Sequence, residues 1–192
     1  MEAASLEGGF GNVPLESSIA FRAVMDAMAR PGIIGSVSGA RPPQPLSIAA
    51  GTVLLTLADA TTPVYLAAGF DGDPVRDWLR FHTGAPIVGR AEAVFAIGDW
   101  QALLPLEAYR IGTPEYPDRS ATLIVEMPVL EAEGARLSGP GIKEIHNLGL
   151  PDIAAFRRNA LLFPLGLDFI FTSGDRVAAL PRTTKVEAAP CM

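Results

Sequence analysis

The chain has 192 residues, a formal net charge of −6, 49% hydrophobic residues and 19% charged residues. This length is typical of one domain, and the hydrophobic content excludes intrinsic disorder, which requires low hydrophobicity and high charge. The negative charge argues against a general nucleic-acid-binding surface, because phosphate neutralisation needs a basic stripe. A local cluster of arginines is still compatible with a negative net charge.

The first part of the chain predicts two helices, each followed by a strand, and then a third helix. Apolar residues at helical spacing predict a helix over 15–29 that Pro31 and Gly32 stop, followed by a short strand over 33–37. The apolar run 46–58 predicts a buried helix, with a core strand as the alternative. A strand over 63–68 then precedes a helix that begins with Asp73 as its N-cap and runs through Arg80.

The second part continues to alternate strands and helices. Strands are predicted over 93–97 and 123–127, with a short helix from Asp99 to Leu104 between them. A helix is predicted from Asp152 through Leu162, and strands over 167–172 and 176–180 form a hairpin around 173–175. This alternation predicts an α/β layered fold with a mixed sheet, in a single domain 1–192. Its core is expected over about 14–184, with loose ends over 1–12 and from Lys185.

The chain shows no sign of secretion, membrane insertion or disulfide formation. MEAASLEGGF has no basic start followed by an apolar core, so no signal peptide is expected. The longest uncharged apolar run, 42–58, is shorter than the ~18–20 residues of a membrane span. Cys191 is the one cysteine and has no partner for a disulfide or a metal site. These features are typical of a cytoplasmic protein.

The chain lacks a recognisable set of catalytic residues. His82 precedes Thr83 and Gly84 at a predicted helix end, where a positive imidazole favours the helix dipole. His146 has no histidine or cysteine partner at metal-binding spacing, and a structural role is favoured for both histidines. The nucleophile elbow, the Walker loop and the dinucleotide fingerprint are absent. We therefore expect no metal, no cofactor and no catalysis by this chain alone.

One glycine-rich segment is a candidate for binding an anion. Gly139 and Gly141, in the run 137–142, can turn main-chain N–H groups inward to form an anion nest beside Lys143. The alternative is an ordinary turn after a strand, because Gly-Pro-Gly marks turns widely.

Two arginines are further candidates. Arg119, in the polar loop 112–120, has the planar guanidinium that suits a phosphonate or phosphate. The alternative is an ion pair between Asp118 and Arg119 in a surface turn. Arg182, followed by the hydroxyls of Thr183 and Thr184, could hold an anion or a partner chain.

Five segments together give the chain a resemblance to a known family. Residues 21–32, FRAVMDAMARPG, resemble the opening signature of the PhnH family of phosphonate-metabolism proteins. Further segments that resemble this family follow in order at 112–120, 137–142, 163–168 and 179–184. They span nearly the whole chain, from about Pro14 to Thr184, and the ordered set is far more specific than a single motif.

The resemblance implies a subunit of the bacterial carbon–phosphorus lyase core complex. Its fold would resemble the large domain of pyridoxal-phosphate-dependent transferases without that cofactor. Together with partner subunits of the G and I types, it would let an alkylphosphonate displace adenine from ATP, giving a ribose 1-alkylphosphonate 5-triphosphate. The resemblance also implies a cytoplasmic homodimer that packs against the G, I and J subunits, with no nucleic-acid or membrane partner. The family indicates no firm catalytic residue in this subunit.

Two roles within such a complex stay open at this point. In the first, the chain is a purely structural assembly subunit with no part in catalysis or ligand binding. In the second, it supplies substrate-binding arginines to a shared site, which convergence of Arg119, Arg182 and the glycine run would favour. A third and remote reading is a free-standing pyridoxal enzyme, for which only Lys143 and Lys185 are available.

Overall fold

The computed structural model describes residues 7–189 and contains two sheets and five α-helices within them. The helices are α1 (Val13–Ala29), α2 (Ile48–Leu57), α3 (Asp73–Thr83), α4 (Trp100–Leu103) and α5 (Ile153–Ala160). The strands are β1 (Gly35–Ser36), β2 (Val64–Leu66), β3 (Phe95–Asp99), β4 (Thr122–Glu126), β5 (Ala135–Ser138), β6 (His146–Leu148), β7 (Asp168–Ser173), β8 (Arg176–Leu180) and β9 (Lys185–Glu187).

The larger sheet is mixed and has the strand order β1-β8-β7-β4-β3-β2. Strands β2, β3, β4 and β7 are parallel, whereas β8 returns antiparallel to β7 and β1 pairs antiparallel with β8. The smaller sheet, β6-β5-β9, is antiparallel throughout. Because β2, β3, β4 and β7 are parallel, their first residues lie together along one side of the larger sheet and their last residues along the opposite side. We call each of these two sides, and not an outermost strand, an edge of the sheet.

Each face of the larger sheet is covered by its own apolar layer. Helices α1, α2 and α3 pack on one face, and α4, α5 and the smaller sheet pack on the other. The run 46–58 is indeed a helix: α2 begins after the Ser47 N-cap, whose hydroxyl accepts the N–H of Ala50 at 3.1 Å. Six successive residues of α2, 49–54, are buried, as expected for a helix that is apolar all round. None of the helices in the described part of the chain has the length and apolarity to cross a membrane.

The predicted helices and the strands of the larger sheet are present and differ from the prediction at their ends, whereas β5 and β6 were not predicted. The 15–29 helix, the Asp99 and Asp152 caps and the hairpin around 173–175 are confirmed. The N-cap of α3 is Gly72 rather than Asp73, which is the first helical residue. The strand predicted over 33–37 shortens to two residues: the Ile33 N–H bonds back to the Arg30 carbonyl in a turn, and the Val37 N–H donates to the Asp175 carbonyl in the loop between β7 and β8. Helix α5 ends at Ala160, where the chain tightens into a turn before Pro164.

The two ends expected to be loose are partly ordered. The prediction is wrong from Lys185 to Glu187, because these residues form β9 of the smaller sheet, and Val186 is buried there in the apolar layer between the two sheets. A three-residue strand with one buried side chain leaves almost no periodic signal in the sequence. Near the other end, the Gly8 carbonyl accepts the Arg41 N–H at 2.8 Å. Residues 1–6 and Cys191 lie outside the described residues.

Candidate functional site

Arg182 lies at the centre of a polar cluster at the edge where β4 and β7 start. Its guanidinium pairs with both carboxylate oxygens of Asp168, the first residue of β7. It also donates to the Pro117 carbonyl at 2.6 Å and to the Ser120 hydroxyl. The main-chain N–H of Arg182 donates to the same Asp168 carboxylate at 2.8 Å. We call this cluster of four residues the Arg182 clamp.

The β7–β8 hairpin brings the two charged residues of the clamp together. Phe169 faces Leu180 in the hairpin register, so Asp168 comes opposite the residues that follow β8. The side chains of Arg182 and Asp168 are only 12% and 16% exposed. In this largely buried site the Asp168 carboxylate neutralises the guanidinium of Arg182, and most of the guanidinium N–H groups already donate hydrogen bonds within the protein. The clamp therefore fastens loop 112–120 to the sheet, which is a structural task; anion binding by Arg182 stays a prediction.

Arg119 is exposed and lies over an aromatic ring. Its guanidinium carbon is 3.9 Å from the centre of the Tyr116 ring, a cation–π distance. Among the described residues it makes no ion pair with Asp118, so that alternative is wrong. The clamp holds the Pro117 carbonyl before Arg119 and the Ser120 hydroxyl after it, and leaves the Arg119 guanidinium accessible to solvent.

The glycine-rich run forms a close-packed turn after β5. The Ile142 N–H donates to the Gly139 carbonyl at 3.1 Å. Both glycines have positive φ, and a Cβ added at Gly141 would lie 1.9 Å from the Ala29 carbonyl oxygen. A Cβ added at Gly139 would lie 3.2 Å from the Thr183 carbonyl oxygen. These close approaches and the positive φ values explain why both positions are glycine. An anion nest here stays a prediction.

The predicted residues come together only in part. The run at Gly139 lies against Thr183, next to the clamp, because β5 pairs with β9 in the following residues. Loop 112–120 reaches the same region through its main chain. The Arg119 side chain turns away onto Tyr116, so the full convergence that would favour a shared anion site is not present.

Both histidines have structural surroundings. His82 is in the last turn of α3, as predicted, and its ring lies 5.3 Å from the Trp78 ring. The Nδ1 atom of His146 is 2.7 Å from the Pro31 carbonyl oxygen, which links the second sheet to the end of α1.

A half-buried carboxylate at the opposite end of the strands was not singled out from the sequence. Glu126 ends β4, next to Asp99 in the register with β3. It accepts the Ser47 N–H at 2.6 Å and the Thr172 hydroxyl at 3.0 Å. Burial raises the pKa of Glu126, and these hydrogen bonds oppose the rise. The one signal in the sequence that could have found Glu126 is an acid at the end of an apolar strand. Its hydrogen bond from the Ser47 N–H anchors the start of α2 to the sheet.

An apolar pocket of about 580 Å3 opens between the segment that follows α4 and helix α5. Its wall is formed largely by Leu104, Leu106, Ile111, Leu162 and Leu167, and Glu107, Arg158, Asn159 and Tyr109 also line it. The pocket lies toward the strand starts, since Ile111 and Leu167 precede β4 and β7 and the Ile111 carbonyl accepts the Gly166 N–H.

The polar groups deep in this pocket are occupied or out of reach. The Asn159 amide exchanges two hydrogen bonds of 2.8 Å with the main chain of Leu167. Tyr109 is 4% exposed, and burial raises its pKa to about 12 against the opposing effect of Arg90. The phenol is therefore neutral at ordinary pH, and its hydroxyl is buried.

Comparison with known proteins places these features in a family context. Residues 8–187 match the family model described as bacterial phosphonate metabolism protein (PhnH). A Rhizobium meliloti (strain 1021) protein named alpha-D-ribose 1-methylphosphonate 5-triphosphate synthase subunit PhnH is 42% identical over 189 residues, 94% of each chain. A Stutzerimonas stutzeri protein named putative C-P lyase subunit protein HtxG is 32% identical over 180 residues, 87% of this chain and 84% of that one.

Proposed function

The chain belongs to the PhnH family of bacterial phosphonate metabolism proteins, and from this we propose that it is a subunit of a carbon–phosphorus lyase complex. The observation that supports this most is the 42% identity over 94% of each chain to a protein named as a subunit of ribose 1-methylphosphonate 5-triphosphate synthase. Identity that extends over whole chains involves the core and the loops alike, so it is more informative than a shared motif.

Within that complex we propose that the chain is needed, with G- and I-type partners, for the displacement of adenine from ATP. An alkylphosphonate oxygen forms a bond to C1′ of the ribose while the bond from C1′ to adenine breaks, and adenine leaves. The product is a ribose 1-alkylphosphonate 5-triphosphate. We propose that the partners carry this chemistry, and that this chain acts as a cytoplasmic homodimer in contact with the G, I and J subunits.

Arg119 is the residue that we propose to meet an anionic substrate group. Its guanidinium is exposed and is held by a ring rather than by a carboxylate. An arginine of this kind can still form a bidentate pair with a phosphonate or phosphate. Arg182 is less suitable, because Asp168 already neutralises it.

A second candidate is a purely structural assembly subunit. The use of Arg182, Gly139 and Gly141 in internal packing favours it, as does the exposure of large apolar side chains on α1 and beyond α5. Under this alternative, the Arg119→Ala variant keeps full activity in the assembled complex. The likeness to pyridoxal-phosphate transferases remains a proposal about the fold, with no cofactor proposed for this chain.

The experiment measures adenine release from ATP and methylphosphonate by the reconstituted partner subunits, with and without this chain. Release that requires the chain supports a synthase subunit. Release that is unchanged without it overturns this role. Arg119→Ala is then compared with Arg119→Lys: assembly that is normal in both, with release reduced most in the alanine variant, supports substrate binding by Arg119.

A further inference from the structure

The segment that follows α5 exposes three large apolar side chains in a row. Leu161 is 85% exposed, Phe163 is 60% exposed and Leu162 is 45% exposed. Isolated exposed apolar residues are common, but contiguous ones beside a pocket mark an interaction site. Leu162 itself lines the pocket of about 580 Å3, so the exposed row and the pocket form one apolar surface. We call this surface the α5 patch.

The pocket within the α5 patch has its free charged groups, Glu107 and Arg158, on exposed residues, which is unlike the enclosed polar groups of a small-molecule site. Such sites place a few free polar groups in an apolar cavity. Here the Asn159 amide already donates to and accepts from the Leu167 main chain, and the Tyr109 hydroxyl, which has no hydrogen-bond partner among the described residues, is buried too deeply for a ligand to reach. The pocket also lies toward the strand starts, whereas ligands of open α/β sheets bind at the strand ends. A small ligand would, in addition, leave the side chain of Leu161 in water.

The charges beside the α5 patch are mainly positive, although the chain as a whole carries −6. Arg158 lines the pocket and Arg157 precedes it on the exposed side of α5. Among residues 7–189 neither arginine takes part in an ion pair. Glu107 is the one acid that lines the pocket. An apolar cavity lined by the unpaired Arg158, with the unpaired Arg157 next to it on the same helix, is complementary to an acidic segment that carries bulky apolar side chains.

We propose that the α5 patch docks an acidic, apolar-anchored segment of another subunit of the complex. This inference rests on the proposed function and adds to it the face through which the chain joins its partners. Apolar side chains of the partner fill the pocket and cover Leu161 and Phe163, while its carboxylates pair with Arg157 and Arg158. A buried apolar centre with a charged rim is the usual anatomy of a stable interface.

The test measures association of the full chain with the reconstituted G, I and J partner subunits. The double variant Leu161→Glu with Phe163→Glu should bind at least about 30-fold more weakly than the wild type, the effect of losing an interface hot spot. Val129→Glu is the matched control, because Val129 is 55% exposed but follows β4 at the opposite edge of the sheet. Thermal unfolding of both variants checks that the fold is intact.

The outcomes separate the docking proposal from the proposed function. If the wild-type chain does not join the partners, the proposed function fails and the docking proposal fails with it. If the wild type and both variants bind equally, the chain is a subunit but the α5 patch is not its docking face. If the double variant changes only the oligomeric state of the isolated chain, the occupant is a second copy, which also overturns the proposal.

A charge test examines the proposed chemistry of the partner. Arg157→Glu with Arg158→Glu should slow association, and the wild-type affinity should fall as salt is raised. An affinity that is independent of salt and unchanged in this variant would show that the partner segment is not acidic.

Discussion

Arg182→Ala should lower the free energy of unfolding by about 3–5 kcal/mol, since removing one partner of a buried ion pair leaves the other charge uncompensated. The Asp168 carboxylate is 16% exposed and would keep only the main-chain N–H of residue 182 among its present donors. The Pro117 carbonyl and the Ser120 hydroxyl would lose their guanidinium donor as well. For a chain of this size the loss corresponds to a fall in Tm of roughly 6–20 °C.

The assay is a double-mutant cycle measured by urea unfolding. Arg182→Met and Asp168→Asn are made singly and together; the asparagine keeps an oxygen that can accept the main-chain N–H of residue 182. Each single variant should be strongly destabilised, and the double variant should recover about 2 kcal/mol or more relative to the sum of the two. Main-chain amides of loop 112–120 should also exchange hydrogen faster in Arg182→Met than in the wild type, because the clamp fastens the main chain of this loop at Pro117.

Two results would refute this reasoning. A loss of less than about 1 kcal/mol in Arg182→Ala would mean that the pair behaves like an exposed one. Additive single variants would mean that Arg182 and Asp168 do not act together. In either case Arg182 would return as a free anion-binding candidate, and its effect on adenine release could be interpreted directly.

Three further predictions concern other residues. Burial raises the pKa of Glu126 above its ordinary value of 4.5, so the folded state binds this proton more tightly and the free energy of unfolding should fall as pH rises from 4.5 through the raised pKa. Glu126→Gln removes this titration, and parallel pH profiles for wild type and variant in urea unfolding would contradict it. Gly141→Ala should cost about 2 kcal/mol or more, since it adds a clash to a left-handed φ. Gly174→Ala, at φ +58 with nothing within 4 Å, should cost less, and equal losses on thermal unfolding would show that the clash relaxes without cost. Replacing Arg119 or Tyr116 by alanine should change stability by less than about 1 kcal/mol, because their cation–π contact is exposed; a larger loss in urea would make Arg119 a structural residue.

The sequence alone indicated the five helices and the six strands of the larger sheet in the described residues, but none of the three strands of the smaller sheet. Helix α2 was readable from a long apolar run, and the caps at Asp99 and Asp152 from the residue types that accept main-chain N–H groups. Family membership was also readable, since the ordered segments survive as local patterns. These features depend on residues a few positions apart, whose relation is fixed by the geometry of the chain itself.

The tertiary structure alone decided what the candidate residues do. Arg182 bonds to the Pro117 carbonyl 65 residues away, and Glu126 bonds to the Ser47 N–H 79 residues away. The pocket beside α5 is closed by segments that meet only because β4 and β7 are neighbours in the sheet. Such pairings depend on strand order and on which groups are buried together. For this reason an arginine that the sequence offers as an anion site becomes, in the fold, the counter-ion of Asp168.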